Sequence, residues 1–571
     1  MANTAGAAAG SLLTGFVLIP QLGVEGSLYA LSLLYAVAAA LTAHLLAGVP
    51  VAGRPARHVL AGAALVFVLG AALFPFGTMV RDHLARVARR FGGAGERVIA
   101  IREGVLETIL YMRRDMLGEP VAYQLVTNGY SMSLKGDVNC ERYMRSYVYW
   151  PLAVHPRPRR ALMISFGVGT TASALTESPD FESITFVDIS KEVLEVSRLG
   201  FPPPQKSPLD DPRVRVHVED GRFFLASTPE RFDVITAEPP PPHNAGIVNL
   251  YSREYFRLVH DRLDAGGVAT YWLPVYQLDK GSTLAVIRGF CDVFEDCSLW
   301  SGSGLNWMLV GTRGLKGPVG ESHFRRLWDD GALAPRLRDV GFETPGHLGA
   351  TFMADAPVLA DLTRGVPPLT DDHPYRLTPD APDEESFRFY FDLTDAGRSR
   401  ARFEASAFVR SLWPARTFAE TLGRFHERAL YDRFFLGAYG QARAPFADLR
   451  ESLVETDSQW LPLVLVGSHP REQDAVDRAL ERGQSGPAAD YLLGVRALAG
   501  REYARADALF AKVQAQEPEF GRILDFRALS LCLGGDRAGA TALLAGPRFR
   551  MHPEAAERGF WEWMRQACAV S

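Results

Sequence analysis

The chain has 571 residues, enough for several domains, with 22% charged residues and a formal net charge of −5. That balance excludes a global basic field for nucleic acid. Five cysteines (Cys140, Cys291, Cys297, Cys532 and Cys568) lack CxxC spacing. Neither a disulfide framework nor a zinc site is expected, and a reducing compartment is.

The charge is unevenly placed. Before Arg54 there is no Lys or Arg, and Glu25 is the only charged side chain. Residues 27–48 and 59–79 are apolar runs about long enough to cross a bilayer. Residues 7–23 form a shorter third candidate containing Pro20. A cleaved signal peptide is not expected, because a basic leader is missing and the apolar segments repeat. Arg81, Arg86, Arg89 and Arg90 follow the last run. The positive-inside rule then predicts a bacterial inner-membrane protein whose large remainder faces the cytoplasm.

From residue 102 to 133 the pattern changes to strands, with turn signals at Gly118-Glu119-Pro120 and Asn128-Gly129. A small antiparallel β-unit is predicted there. Between about 151 and 312, strands such as "ALMISFG", "SITFVDIS", "VRVHVED", "FDVITAE", "GGVATYWL" and "WMLVGT" alternate with helical stretches. This alternation predicts a parallel sheet covered by helices on both faces. Beyond Gly320 no strong strand rhythm is seen, and residues 367–385 read as an extended connector. The last part is helical. Gly494, Ala506, Phe510 and Pro518 have tetratricopeptide-like spacing, with Ala540 and Leu544 about 34 residues after Ala506 and Phe510. An ordinary helical hairpin is the competing reading. The predicted domains are 1–80 transmembrane, 81–150 linker helix and β-domain, 151–320 catalytic, 321–400 extension, and 401–571 helical tail.

Gly167-Val168-Gly169 opens a GxGxxA turn between a predicted strand and a helix. Glycines let the backbone approach a ligand, and the helix start offers unpaired N–H groups. Asp188 ends the next strand about twenty residues on, where a carboxylate can accept from ribose hydroxyls. Glu219-Asp220 ends the third strand and Glu238 the fourth, so acids fall at three successive strand ends. Any one acid taken alone reads first as a helix cap or a solvated loop charge; their shared location at successive strand ends favours a nucleoside site. Asp371-Asp372-His373 has a metal-like composition but no partner ligands at useful spacing, and reads as a structural turn. Glu107 is either a strand-face charge or part of the pocket.

The order β-unit, "SFGVGTTA", "VDIS", "VEDGRFFL", "FDVITAEPP" and "NLYSREYF" resembles the polyamine aminopropyltransferases, the spermidine synthase family, over roughly residues 100–315. The closer likeness is to membrane-fused bacterial members. The resemblance implies a Rossmann-like, S-adenosylmethionine-dependent transferase sheet with a small N-terminal β-domain, here preceded by transmembrane helices and followed by an α-helical tail. It implies decarboxylated S-adenosylmethionine as donor, a small amine as acceptor, and a homodimer. No metal and no nucleic acid are implied. By position, Gly167, Gly169, Asp188, Asp220 and Gly221 match the donor site. Glu238 matches the acid expected to take the amine's proton, and Tyr143 the tyrosine of the active-site helix. Tyr255 matches the aromatic after the loop; Tyr251 and His243 are candidate acceptor contacts. The bilayer, and a protein partner for the tail, complete the expected contacts.

Three positions depart from the family pattern. Val168 replaces an acid that contacts the donor's amino tail, Pro241 replaces a second acid of the catalytic loop, and Met132 stands where a glutamine is expected. The donor site looks kept and the acceptor site altered, which makes putrescine a poor expected acceptor. A methyltransferase using intact S-adenosylmethionine and a non-catalytic nucleotide-binding scaffold are the competing functions.

Overall fold

The computed structural model describes residues 2–45, 57–92, 95–240, 242, 246–373, 382–436, 445–466, 468–518, 520, 523–546, 564 and 568. Two compact units emerge: Met1–Arg114 with Gln124–Ser131, and Asp115–Tyr123 with Met132–Ser571.

In the first unit the N-terminal segment is one largely apolar helical stretch, Asn3–Leu45, 43 residues long. It merges the expected 7–23 and 27–48 segments, with one break at Gly23, whose φ of 71° leaves the helical region. The break frees the Val24 N–H, which donates to Glu103 at 3.0 Å. After the break, residues 24–45 span about 33 Å at 1.5 Å per residue, the thickness of a bilayer core. The second expected span, 59–79, is corrected. Its helix is Arg57–Ala72, 16 residues, and the chain then turns. Pro75 explains the stop: it disfavours helical geometry at Phe74. The described part of this helix is about 24 Å long, against about 30 Å for a bilayer core. Glu25 accepts from the N–H groups of Gly77 (2.7 Å) and Met79, where the next helical turn begins.

The expected antiparallel unit is present and longer than predicted. It is a four-stranded meander ordered β1 (Glu96–Glu103), β2 (Thr108–Met116), β3 (Glu119–Thr127) and β4 (Tyr130–Lys135). The first strand escaped the sequence reading because it carries four charged residues in eight.

The second unit is built on an eight-stranded sheet. Its strands are β5 (Arg160–Ile164), β6 (Ser183–Asp188), β7 (Val214–Val218), β8 (Phe232–Ala237), β9 (Leu263–Pro274), β10 (Ser298–Ser303), β11 (Asn306–Thr312) and β12 (Phe352–Asp355). Their order is β12-β10-β11-β9-β8-β5-β6-β7. The expected parallel sheet is therefore a mixed one. β9, β8, β5, β6 and β7 run parallel, whereas β11, β10 and β12 add antiparallel neighbours. Strand β10 is buried at every position and so shows no alternation in the sequence. The helix Val138–Val154 is buried from Glu141 onward. It shares one core with β5, with the helix Thr170–Glu177 and with residues of the later helices such as Phe403 and Phe425.

Cysteine usage also departs from expectation. Cys291 pairs with Cys297 and Cys532 with Cys568, leaving Cys140 as the free thiol. Spacing gave no hint because Cys291 and Cys297 are brought together by the turn between the helix Lys280–Cys291 and β10. The tail is a run of helices; Pro487–Ala499 and Tyr503–Gln516 form a hairpin in which a Cβ at Gly494 would meet the Phe510 ring at 2.6 Å.

Candidate active site

Strand β5 is the centre of the site, because the chain leaves it into the glycine turn with a carboxylate on either side. Register places Ile164 beside Val187 of β6 and Ala237 of β8. The next residues continue that alignment: Ser165 N–H donates to Val187 O at 2.9 Å, and Glu238 N–H to Ile164 O at 3.2 Å. On the far side of β6, Asp188 lies opposite Val218, and Glu219 N–H donates to Asp188 O at 3.0 Å. Asp188, Asp220 and Glu238 thus sit at one carboxyl edge of the parallel strands, the rim where open α/β sheets bind ligands.

The glycine turn is shaped by close approach. Gly167 and Gly169 have φ of 56° and 80°, and Ser165 shares the left-handed region at 73°. A Cβ on Gly169 would stand 2.9 Å from the Phe166 ring; one on Gly167 would stand 3.1 Å from Ser133 Oγ, which accepts from Val168 N–H. Asp188 braces the same turn. One carboxylate oxygen accepts from Phe166 N–H (2.7 Å), the other from Ser190 N–H (2.8 Å).

Asp220 is an exposed N-cap, accepting from Phe223 N–H at 2.8 Å at the start of the helix Gly221–Ser227. Gly221 is required there, since a Cβ would meet Ile164 at 2.5 Å. The cap reading of this acid is therefore true. Asp371 is structural, as expected: it accepts from Arg222 and Ser252. Glu107 lies in the first unit, next to β2.

Glu238 has the opposite environment. The residue keeps some exposure, but its carboxyl group is enclosed by protein atoms and hydrogen-bonded by the Thr171 hydroxyl. Burial pushes its pKa up to about 8, with only Thr171 acting against it. Around it stand tyrosines. Tyr143 stacks on Trp272 (centroids 6.2 Å apart, 8° between planes), and Tyr147 follows one helical turn later with its ring 5.9 Å from Tyr143. Tyr251 packs edge-on against Tyr271 at 5.4 Å. Burial, and then the Glu238 carboxylate among other groups, pushes the phenols of Tyr143, Tyr147 and Tyr251 up. Tyr276 is a further electrostatic neighbour of all three.

Tyr143 and Tyr251 are thus brought to Glu238. Tyr255 is not among Glu238's partners; it is buried against Phe256 and Tyr271, with Asp220 and Arg222 as its charged neighbours. His243 and Pro241 lie outside the described residues. Sequence reasoning missed Tyr147, Tyr276 and Thr171. The signal for Tyr147 was available, four residues after Tyr143 on one helix face. Thr171 looked like ordinary filler of a small-residue helix.

A family model described as the spermine/spermidine synthase domain matches residues 141–298. A polyamine aminopropyltransferase from Nitrosomonas europaea is 30% identical over 137 residues, 24% of this chain and 42% of that protein. One from Pyrobaculum calidifontis is 30% identical over 235 residues, covering 38% of this chain and 75% of that protein. The chain belongs to the polyamine aminopropyltransferase family. It nevertheless spans less than half the length of the Nitrosomonas relative. The solved spermidine synthase of Thermotoga maritima aligns at 20% identity with a TM-score of 0.33, over 38% of this chain and 74% of that one. The family match ends near β10, so the long helical part lies outside it.

Proposed function

We propose that this member of the polyamine aminopropyltransferase family moves an aminopropyl group from decarboxylated S-adenosylmethionine to an amine acceptor. One observation carries the proposal: a desolvated carboxyl with a pKa of about 8 beside the glycine turn, next to a carboxylate that braces that turn. In this reading Gly167, Gly169 and the N–H groups of the turn admit the donor. Asp188 receives its ribose hydroxyls, and Asp220 the adenine amino group beside Gly221. The amine's lone pair attacks the carbon next to the sulfonium. The new C–N bond forms as the C–S bond breaks, its electron pair passing to sulfur and releasing methylthioadenosine. The proton lost by the attacking nitrogen passes to Glu238, which Thr171 orients and Tyr143 flanks. A base whose pKa is raised towards that of its task suits this transfer. The donor carries its own activation in the sulfonium, so placement supplies most of the rate. Incubation with both donors tests the reaction class: methylthioadenosine is the expected product, and S-adenosylhomocysteine as the sole product would assign methyl transfer instead.

The same proposal anchors the enzyme in a membrane through Asn3–Leu45, with the catalytic unit on the cytoplasmic side that the following arginines favour. Each disulfide includes a cysteine only 1% exposed, Cys297 or Cys568, which shields it from reductant on that side. Fractionation should find the chain in membranes, with a C-terminal reporter protected from external protease. Degradation of the reporter in intact cells would reverse the orientation. The tail hairpin, with its tetratricopeptide-like spacing, is read as a surface for a protein partner.

A further inference from the structure

We infer that the acceptor carries a single amine and that its other end is an uncharged hydrogen-bonding group such as a hydroxyl. The inference rests on the aminopropyl-transfer reading and narrows its substrate class. Two observations carry it.

The first is charge. Glu238 owes its raised pKa to burial, and no charged side chain among the described residues contributes. The sequence that follows it, Pro239 to Ala245, contains no Asp or Glu. One carboxylate can balance one cation. A diamine would bury a second ammonium without a counter-charge, beside a donor that is itself a sulfonium cation, and an unpaired buried charge is costly.

The second is the hydroxyls. Tyr147 and Tyr251 are each 0% exposed, and the hydroxyl of each has no hydrogen-bond partner among the described residues. Both are electrostatic neighbours of Glu238 and of Tyr276. They come from separate elements, the helix Val138–Val154 and the turn before the helix Arg253–Arg262, so the pairing is not an accident of one segment. An unpaired buried hydroxyl is destabilising until a ligand pairs it. A bound hydroxyl both donates and accepts, and it satisfies two phenols without adding charge.

The test uses the full chain with decarboxylated S-adenosylmethionine and three four-carbon amines, 4-amino-1-butanol, butylamine and 1,4-diaminobutane, following methylthioadenosine. The expected order of kcat/KM is aminobutanol first, exceeding the diamine at least tenfold. Tyr147→Phe and Tyr251→Phe, which keep ring and volume, should each lower the ratio of aminobutanol to butylamine about tenfold, the worth of one good hydrogen bond. Preference for the diamine would overturn the inference while leaving aminopropyl transfer standing. An unchanged ratio in both Phe variants would remove these hydroxyls from acceptor choice and overturn it too. Absence of methylthioadenosine with every amine would bring down the function itself, and the inference with it.

Discussion

Asp188 and Glu238 stand in matching places, each just past a strand that borders β5, yet their surroundings differ in kind. Asp188 is half-buried and spends both oxygens on backbone N–H groups, one of them in the glycine turn. Glu238 stands among tyrosines, has a single hydroxyl partner among the described residues, and has its pKa pushed up to about 8 by burial. The same rim therefore holds one carboxylate built into the backbone and another left available for a proton. Two acids in contrasting environments are how one fold divides holding from proton transfer.

The contrast breaks most visibly under substitution. Glu238→Gln should lower kcat by about 10²–10⁴, the usual worth of a positioned base, while donor affinity changes less than about threefold. Asp188→Ala should do the reverse in binding. It removes the ribose acceptor and the brace on Phe166 N–H, so donor affinity should fall by about 10–100-fold, as expected for hydrogen bonds to a charged group. Calorimetry with the donor and steady-state kinetics on both variants check this. Equal losses of affinity in the two variants would erase the division of labour.

How much of this division was legible depends on what each residue answers to. Asp188, Asp220 and Glu238 follow short apolar runs that read as strands, and period and order alone put them on one rim. Gly167 and Gly169 were legible because only glycine tolerates that turn so cheaply. The raised pKa of Glu238 was not legible, since it comes from enclosure among Tyr143, Tyr147 and Tyr251, which are up to 108 positions apart in sequence (143 to 251) and meet only in the folded unit. Strand β12 is four residues long and buried throughout, too short for any periodicity to appear. The helix Arg57–Ala72 was overextended for a local reason. Hydropathy runs on through Leu73 and Phe76, whereas Pro75 decides the backbone.

The comparison is sharpened by pH. If Glu238 must be ionised to take the proton, kcat/KM for the donor should rise about tenfold per unit up to pH 8 and flatten above it. A companion effect on stability has a fixed sign. The carboxyl is near 4.5 when exposed and about 8 when folded, so the folded state holds the proton more tightly. Its contribution is full below pH 4.5 and is lost as pH rises to 8, where an enclosed carboxylate must stay desolvated. Glu238→Gln, which stays neutral, should therefore raise the unfolding midpoint more at pH 9 than at pH 5, by a few degrees at most. The same difference at both values would mean that the carboxyl is already ionised in the free enzyme. Glu238 would then resemble Asp188, and the reason for assigning it the proton would be gone.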